Sequence, residues 1–152
     1  LHYRAFLQPA FDISLSKIST ASKGLDYGCG PGPTLSQMFL EKGVNMNIYD
    51  PYFYPNKNVL EKKYDFITCT EVVEHFYQPD HEFNTLFSLL KESGFLCIQT
   101  MFFESIQSLQ SSHYPKDPTH VCFYGKTSLS YIAKKHHVQC EFPRQNLALF
   151  ST

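Results

Sequence analysis

Hydrophobic and polar positions along the chain alternate between the spacing of helices and the spacing of strands. The first apolar residues recur at the three- and four-residue intervals of one helix face: Tyr3, Phe6, Leu7, Ala10 and Phe11. Strand-like runs follow at 23–27, 44–50, 64–70 and 95–100. Helical spacing returns at 34–42, 83–90 (which Gly94 is expected to end) and 129–133. Two short runs at 138–142 and 146–150 have the pattern of a β-hairpin.

This order predicts an α/β fold with a Rossmann-like, mostly parallel sheet, helices on both faces and a C-terminal antiparallel hairpin. The length predicts one domain over residues 1–152, in which residues 1–20 are an N-terminal helix and a connector. The stretch 12–23 is rich in serine and lysine, and the stretch 103–125 is polar and aromatic without clear periodicity. We therefore expect irregular structure in both.

Composition and charge exclude several classes of protein. Hydrophobic residues make up 43% of the chain and charged residues 18%, which is typical of a globular protein. The net charge of −1 predicts no broad electropositive surface for nucleic acid or anionic lipid. The five cysteines include no CxxC pair, and neither a leader nor a membrane-length apolar run occurs. We expect a cytoplasmic protein without a membrane partner.

A glycine-rich stretch, GLDYGCGPGPT from Gly24 to Thr34, follows the first strand and opens a helix. Gly28, Gly30 and Gly32 allow the backbone to turn sharply and to approach a ligand closely. A dinucleotide fingerprint would place its third glycine at position 33, where this chain has Pro33. The spacing therefore favours a ligand that lacks a pyrophosphate.

Asp50 lies 20 residues after Gly30, at the end of the next predicted strand. A carboxylate at this position of a nucleotide-binding sheet can accept both hydroxyls of a ribose. The alternative is an ordinary tight turn at the glycines and a loop cap at Asp50. The strand–turn–helix context around the glycines favours the ligand-binding interpretation.

With these residues the sequence resembles the class I S-adenosylmethionine-dependent methyltransferases, from about Leu25 to the terminal hairpin. The resemblance implies S-adenosylmethionine as the cofactor, held by its amino group near Asp26, by its ribose at Asp50 and by its adenine near Tyr52. The cofactor-binding residues implied in this way are Asp26, Gly28, Cys29, Gly30, Gly32, Asp50, Pro51, Tyr52, Cys69, Thr70 and Glu71. The family places another strand and helix after the ribose acid, but only residues 51–63 are available here. The sheet is therefore expected to lack one strand.

The run Glu71-Val-Val-Glu74-His75 follows a central strand at the edge where open α/β sheets build their sites. If the run is helical, its acids and His75 share one face, and His120 is expected at the same edge. The run resembles the metal site of the small-RNA 3′-terminal 2′-O-methyltransferases, which implies a divalent metal ion bound by Glu71, Glu74, His75 and His120. His75 and Glu74 are also the candidate catalytic residues. In the alternative without a metal, Glu74 caps backbone N–H groups, and His75 packs under the methionine or acts as a general base.

These features predict an S-adenosylmethionine-dependent methyltransferase that methylates an oxygen or nitrogen of a small molecule. A first alternative is a metal-dependent methyltransferase of RNA 3′ ends, for which Lys57, Lys62 and Lys63 are the candidate basic residues. A second is a non-catalytic subunit that binds the cofactor. A nicotinamide oxidoreductase is disfavoured by Pro33 and by the terminal hairpin.

Overall fold

A six-stranded sheet forms the centre of the molecule in the computed structural model, which describes residues 2–152. Its strands are β1 (Lys23–Tyr27), β2 (Asn45–Tyr49), β3 (Tyr64–Thr70), β4 (Leu90–Gln99), β5 (Gln139–Arg144) and β6 (Leu147–Ser151). They lie in the order β2-β1-β3-β4-β6-β5. The first four are parallel, and β6 is antiparallel to both of its neighbours. The predicted mixed sheet with a terminal hairpin is confirmed. Leu1, which the predicted domain includes, lies outside the described residues.

Helices cover both faces of the sheet. They are α1 (His2–Leu15), α2 (Thr34–Leu40), α3 (Pro79–Ser88), α4 (Ile106–Ser111) and α5 (Lys126–Lys135). On one face, α1 and α2 bury side chains such as Phe11 and Phe39 against Phe66 of β3. On the other face, α3 and α5 bury Phe83 and Leu129. Burial of these side chains removes apolar surface from water and holds the layers together.

The sheet ends at β2, because the segment between β2 and β3 adds no strand to it. Residues 51–63 instead form a tight loop, closed by a bridge between Asp50 and Tyr54, and a single 3-10 turn at Lys57–Glu61. The expectation that one strand is missing is therefore confirmed. As a result, the carboxyl end of β2 lies at the open side of the sheet.

The boundary between α3 and β4 differs from the prediction. The apolar spacing of Phe83, Leu86, Phe87 and Leu90 predicted a helix that ends near Gly94, but α3 ends at Ser88. Leu90 already pairs with Tyr64 in the sheet, and the register then shifts so that Phe95 pairs with Phe66. β4 therefore contains an irregular insertion between Leu90 and Phe95. Leu90 belongs to the strand, although its spacing from Phe83 and Leu86 is that of a helix face.

Two further expectations of local structure are wrong, and one condition is not met. Helix α1 continues to Leu15 and buries Ser14, so the connector after it is shorter than predicted. The stretch predicted to be irregular contains α4, which buries no side chain and therefore leaves no apolar pattern. The run after β3 is not a regular helix, because Glu71 has a left-handed φ of 53° and only Val73–His75 form a 3-10 turn.

Candidate functional site

The glycine-rich loop between β1 and α2 requires glycine at positions 28 and 30. Gly28 and Gly30 have φ values of 78° and 65°, a region that side chains rarely occupy. A Cβ at Gly28 would also lie 2.3 Å from Cγ2 of Val72. By contrast, a Cβ at Gly30 or Gly32 would meet no atom within 4 Å. The outer side of the loop is therefore open, as a ligand cradle requires.

Asp50 points into this glycine bend. Its Oδ2 accepts a hydrogen bond from the backbone N–H of Gly30 at 3.0 Å. Its Oδ1 accepts from the backbone N–H groups of Tyr52 and Phe53 at 2.9 and 3.1 Å. A carboxylate offers about four acceptor positions, so these bonds leave one on Oδ2 for a ligand hydroxyl. Asp50 thus ties the end of β2 to the glycine loop.

A cavity of about 820 Å³ opens at this edge of the sheet, within the size range of small-molecule and cofactor sites. Seven of the predicted site residues line it: Gly28, Gly30, Asp50, Pro51, Tyr52, Glu71 and His75. Tyr52 is 86% exposed, so its ring covers the cavity only from outside. The structure therefore brings the predicted ribose acid, the glycine loop and the predicted base to one cavity.

Other predicted residues lie behind the cavity wall. Asp26 is almost completely buried and accepts hydrogen bonds from the Thr68 hydroxyl at 2.8 Å and from the Ser36 backbone. Burial raises the pKa of Asp26 to about 6, although these hydrogen bonds oppose the shift. Cys29, Gly32, Cys69 and Thr70 also do not line the cavity. Their predicted contacts with a ligand stay predictions.

A second cluster joins the turn after β3 to the segment that precedes α5. A carboxylate oxygen of Glu74, a ring nitrogen of His75 and a ring nitrogen of His120 all lie within 4.8 Å of one another. Glu74 is 1% exposed, and its carboxylate accepts hydrogen bonds from the hydroxyls of Thr100 and Tyr114. Three of the four predicted metal ligands are therefore neighbours in space.

Glu71, the fourth predicted ligand, lies outside this group of three but beside Glu74. Burial and the charge of the Glu74 carboxylate raise the pKa of Glu71 to about 7. Glu71 lines the cavity, so its carboxyl group, which is hydrogen-bonded to that of Glu74, lies where the cavity meets the cluster.

Hydrogen bonds of the two imidazoles fix which nitrogen of each ring is free. Nδ1 of His75 lies 3.0 Å from the carbonyl oxygen of Thr119, and Nδ1 of His120 lies 2.8 Å from that of Tyr114. Because a carbonyl oxygen only accepts, these contacts assign a proton to both Nδ1 atoms, so in the neutral ring each Nε2 keeps a lone pair. Such a lone pair can bind a metal ion or accept a proton.

Comparison with known proteins places this geometry in a family. The sequence profile described as "Methyltransferase domain" matches residues 2–140, which is most of the chain. The chain belongs to the methyltransferase domain family. Its predicted cofactor, S-adenosylmethionine, is confirmed by this membership. The open glycine cradle and the remaining acceptor position of Asp50 fit the ribose end of that cofactor.

Individual relatives are distant and longer than this chain. A ubiquinone biosynthesis O-methyltransferase from Shewanella sp. (strain ANA-3) is 27% identical over 88 residues, covering 58% of this chain and 37% of the relative. The chain thus spans well under half the length of the curated relatives it matches.

Solved structures agree in fold at low sequence identity. A 1,6-didemethyltoxoflavin-N1-methyltransferase from Burkholderia thailandensis, solved with S-adenosylhomocysteine, has a TM-score of 0.68 at 14% identity. The alignment covers 96% of this chain and 77% of that one. The small RNA methyltransferase HEN1 has a TM-score of 0.64 at 20% identity, covering 95% of this chain and 25% of that one. At these identities the likeness shows the fold.

Several residues of the site were not found from the sequence. Thr100 and Tyr114 hold Glu74, and Tyr27 donates a hydrogen bond from its hydroxyl to Glu82 at 2.6 Å. These pairs are 26, 40 and 55 residues apart in the chain. No local spacing contains a signal for such contacts.

Proposed function

We propose that this chain is a catalytic methyltransferase domain that transfers a methyl group from S-adenosylmethionine to an oxygen or nitrogen of a small molecule. The observation that supports this most is the hydrogen bond between Asp50 and Gly30 at a cavity that His75 also lines. One cavity thereby contains a position for a ribose and, at another of its walls, a base.

His75 has the features of the residue that removes the proton of the acceptor. S-adenosylmethionine, when bound, supplies an electrophilic methyl group. Nε2 of His75 is free because Nδ1 donates to Thr119, so Nε2 can take the proton of a substrate hydroxyl or amine. The new bond forms between that oxygen or nitrogen and the methyl carbon as the carbon–sulfur bond breaks. The loop and Asp50 contribute by positioning the two reactants.

Transfer of radiolabel from methyl-labelled S-adenosylmethionine to a panel of phenols, catechols, heteroaromatic amines and short RNAs tests the proposal. We expect product with a hydroxyl or amine of the small-molecule set. Labelled RNA alone would favour the 3′-end methyltransferase. Cofactor binding without transfer to any acceptor would favour the non-catalytic subunit.

A divalent metal ion at Glu74, His75 and His120 is the second candidate feature of the site. In metal sites, a histidine ligand commonly donates its other ring N–H to a backbone carbonyl, and both histidines do so here. One carboxylate and two imidazoles suit Mn, Fe, Co or Zn. Asp117 competes with a metal ion for Nε2 of His120, because its Oδ2 lies 3.8 Å from that nitrogen. The donor chemistry thus fits a transition metal.

Nε2 of His75 cannot bind a metal ion and accept a proton at the same time. Two variants therefore distinguish the metal site from the general base. If a metal binds, we expect His75→Ala and His120→Ala each to lose about one bound ion per chain together with methyl transfer. If His75 is a metal-free base, only His75→Ala loses transfer, by about a hundredfold or more. Elemental analysis and a transfer assay with EDTA and added Mn²⁺ or Zn²⁺ measure both outcomes. His81→Ala, an exposed histidine of α3, is the control.

The raised pKa of Asp26 leads us to expect that cofactor binding depends on pH. Its pKa of about 6 lies above the usual value, so Asp26 is ionised above that pH and protonated below it. We expect affinity for S-adenosylhomocysteine, whose amino group is a cation, to fall up to about tenfold per pH unit below pH 6. Binding measured by calorimetry from about pH 5 to pH 8 gives the profile.

The variant Asp26→Asn identifies the Asp26 contribution, because Glu71 also titrates in this range. Burial raises the pKa values of Tyr3, Cys29 and Cys69, so these neighbours stay neutral. Asp26→Asn is expected to bind about tenfold more weakly at neutral pH and to lose the dependence centred near pH 6. A variant that keeps the wild-type profile would show that Asp26 does not act on the amino group.

A small-molecule substrate is supported by the positions of two of the candidate basic residues. Lys62 and Lys63 directly precede β3, whereas the cavity lies at the carboxyl end of that strand. The seven residues of β3 separate the two edges by roughly 20 Å. These lysines therefore contribute no basic surface beside the cavity, as an RNA substrate would require.

We further propose that residues 1–152 form a single cofactor-binding domain that works in the cytoplasm. All five cysteines are free, which suits a reducing compartment. None of the helices formed by residues 2–152 is long and apolar enough to span a bilayer.

A further inference from the structure

The cavity has an unusual wall on the side where the sheet ends. No strand follows β2 at this edge, so residues of β1, β2 and α3 line the cavity beyond Asp50. Tyr27 and Tyr49, the last residues of their strands, and Phe76 form an aromatic floor here. Their rings are in contact, with centroids 5.2 Å apart for Tyr27–Tyr49 and 6.5 Å for Tyr27–Phe76. The rings are tilted by 38° and 84° to one another, so they form an apolar aromatic surface with both ring faces and ring edges, against which a heteroaromatic ring can pack.

A carboxylate is fixed at the edge of this floor. Glu82, on the first turn of α3, lines the same cavity and accepts the hydrogen bond of the Tyr27 hydroxyl on Oε2. Burial and this bond raise the pKa of Tyr27, so its hydroxyl stays a donor. Among residues 2–152, no group donates to Oε1 of Glu82. The half-buried carboxylate therefore offers a free acceptor to the cavity.

Asp50 determines which part of the cofactor reaches Glu82. The proposed function places the ribose at Asp50 and the reactive end near Glu71 and His75. The two ends of the cofactor leave the ribose in different directions, so the adenine extends away from His75. The aromatic floor and Glu82 line the cavity away from Glu71 and the Nε2 atom of His75, together with the exposed ring of Tyr52.

We propose that Glu82 accepts a hydrogen bond from the 6-amino group of the cofactor's adenine while the ring lies on Tyr27, Tyr49 and Phe76. This inference rests on the proposed function, and it assigns the adenine site to α3 and β1. An amino group donates, and a carboxylate acceptor makes that hydrogen bond charge-assisted. A purine with a 6-oxo group presents an acceptor to the same carboxylate, so the site rejects it.

Calorimetry with two ligands tests this assignment: S-adenosylhomocysteine and its deaminated analogue S-inosylhomocysteine. We expect the wild type to prefer the adenine ligand by about thirtyfold or more. Glu82→Gln is expected to reduce that preference to about threefold or less, because its amide can both donate and accept. Tyr27→Phe keeps the ring but frees the carboxylate, and we expect an intermediate preference.

Glu92→Gln is the matched control, since it removes an exposed carboxylate of β4 that does not line the cavity. Its preference should equal that of the wild type. An unchanged preference in Glu82→Gln would overturn the assignment while the proposed function stands. If Glu82→Gln does not fold, an unchanged preference in Tyr27→Phe overturns it instead. If the wild type binds neither ligand, the proposed function itself fails.

Discussion

The variant Asp50→Ala is expected to lose at least about a hundredfold in affinity for S-adenosylhomocysteine. The substitution removes the acceptor for the ribose and also releases the N–H groups of Gly30, Tyr52 and Phe53. Loss of these hydrogen bonds is expected to lower the free energy of unfolding by about 2–4 kcal/mol. Calorimetry with S-adenosylhomocysteine and thermal unfolding measure the two effects.

Asp65→Asn separates the loss of binding from the loss of stability. Asp65 also accepts a backbone hydrogen bond, from Lys23, and it pairs with Lys91 at the opposite edge of the sheet. We expect this control to unfold more easily but to bind like the wild type. If Asp50→Ala binds as tightly as Asp65→Asn, then Asp50 does not hold the ribose.

Replacement of Glu74 by alanine is expected to destabilise the protein by about 2–4 kcal/mol. The Glu74 carboxylate is buried and accepts from Thr100 and Tyr114. Its removal leaves the two hydroxyls, 3.1 Å apart, with one acceptor between them, so at least one buried donor loses its partner. The segment before α5 should then be cut more rapidly by a protease. Thermal unfolding and limited proteolysis followed by mass spectrometry measure these changes.

Glu74→Gln distinguishes a structural role of Glu74, as acceptor for Thr100 and Tyr114, from metal binding by the same residue. The amide keeps one acceptor, so we expect about half of the stability to return. If Glu74 binds a metal ion, this stabler variant still lacks the ion and methyl transfer. Glu104→Ala, at an exposed position near α4, is the control for proteolysis. If the Glu74→Ala protein is as stable as this control, Glu74 does not have this structural role.

Local spacing was sufficient for the elements that build the cofactor edge. The β1–loop–α2 unit lies where its pattern predicts it, because glycines and apolar residues act there over a few positions. Leu90 shows the limit of this reasoning. It fits helical spacing after Phe83 and Leu86, yet pairing with Tyr64 places it in the sheet. A tertiary contact overrides the local pattern at that boundary.

Some residues of the site could likewise be predicted from the sequence, and others could not. Asp50 was predicted from its distance to Gly30, and the two residues are hydrogen-bonded. The cluster of Glu74, His75 and His120 was predicted from a resemblance, and the structure brings the three together. The hydrogen bond between Tyr27 and Glu82 could not be predicted, because it joins residues 55 positions apart. Contacts between distant segments thus define the part of the site that spacing does not reveal.

The account depends most on the claim that the glycine bend and Asp50 hold an adenosyl group without a pyrophosphate. Calorimetry of the wild-type protein with S-adenosylhomocysteine and, separately, with NADH tests this claim directly. We predict saturable binding of S-adenosylhomocysteine with about one site per chain and no heat from NADH. Binding of NADH without binding of S-adenosylhomocysteine would contradict it.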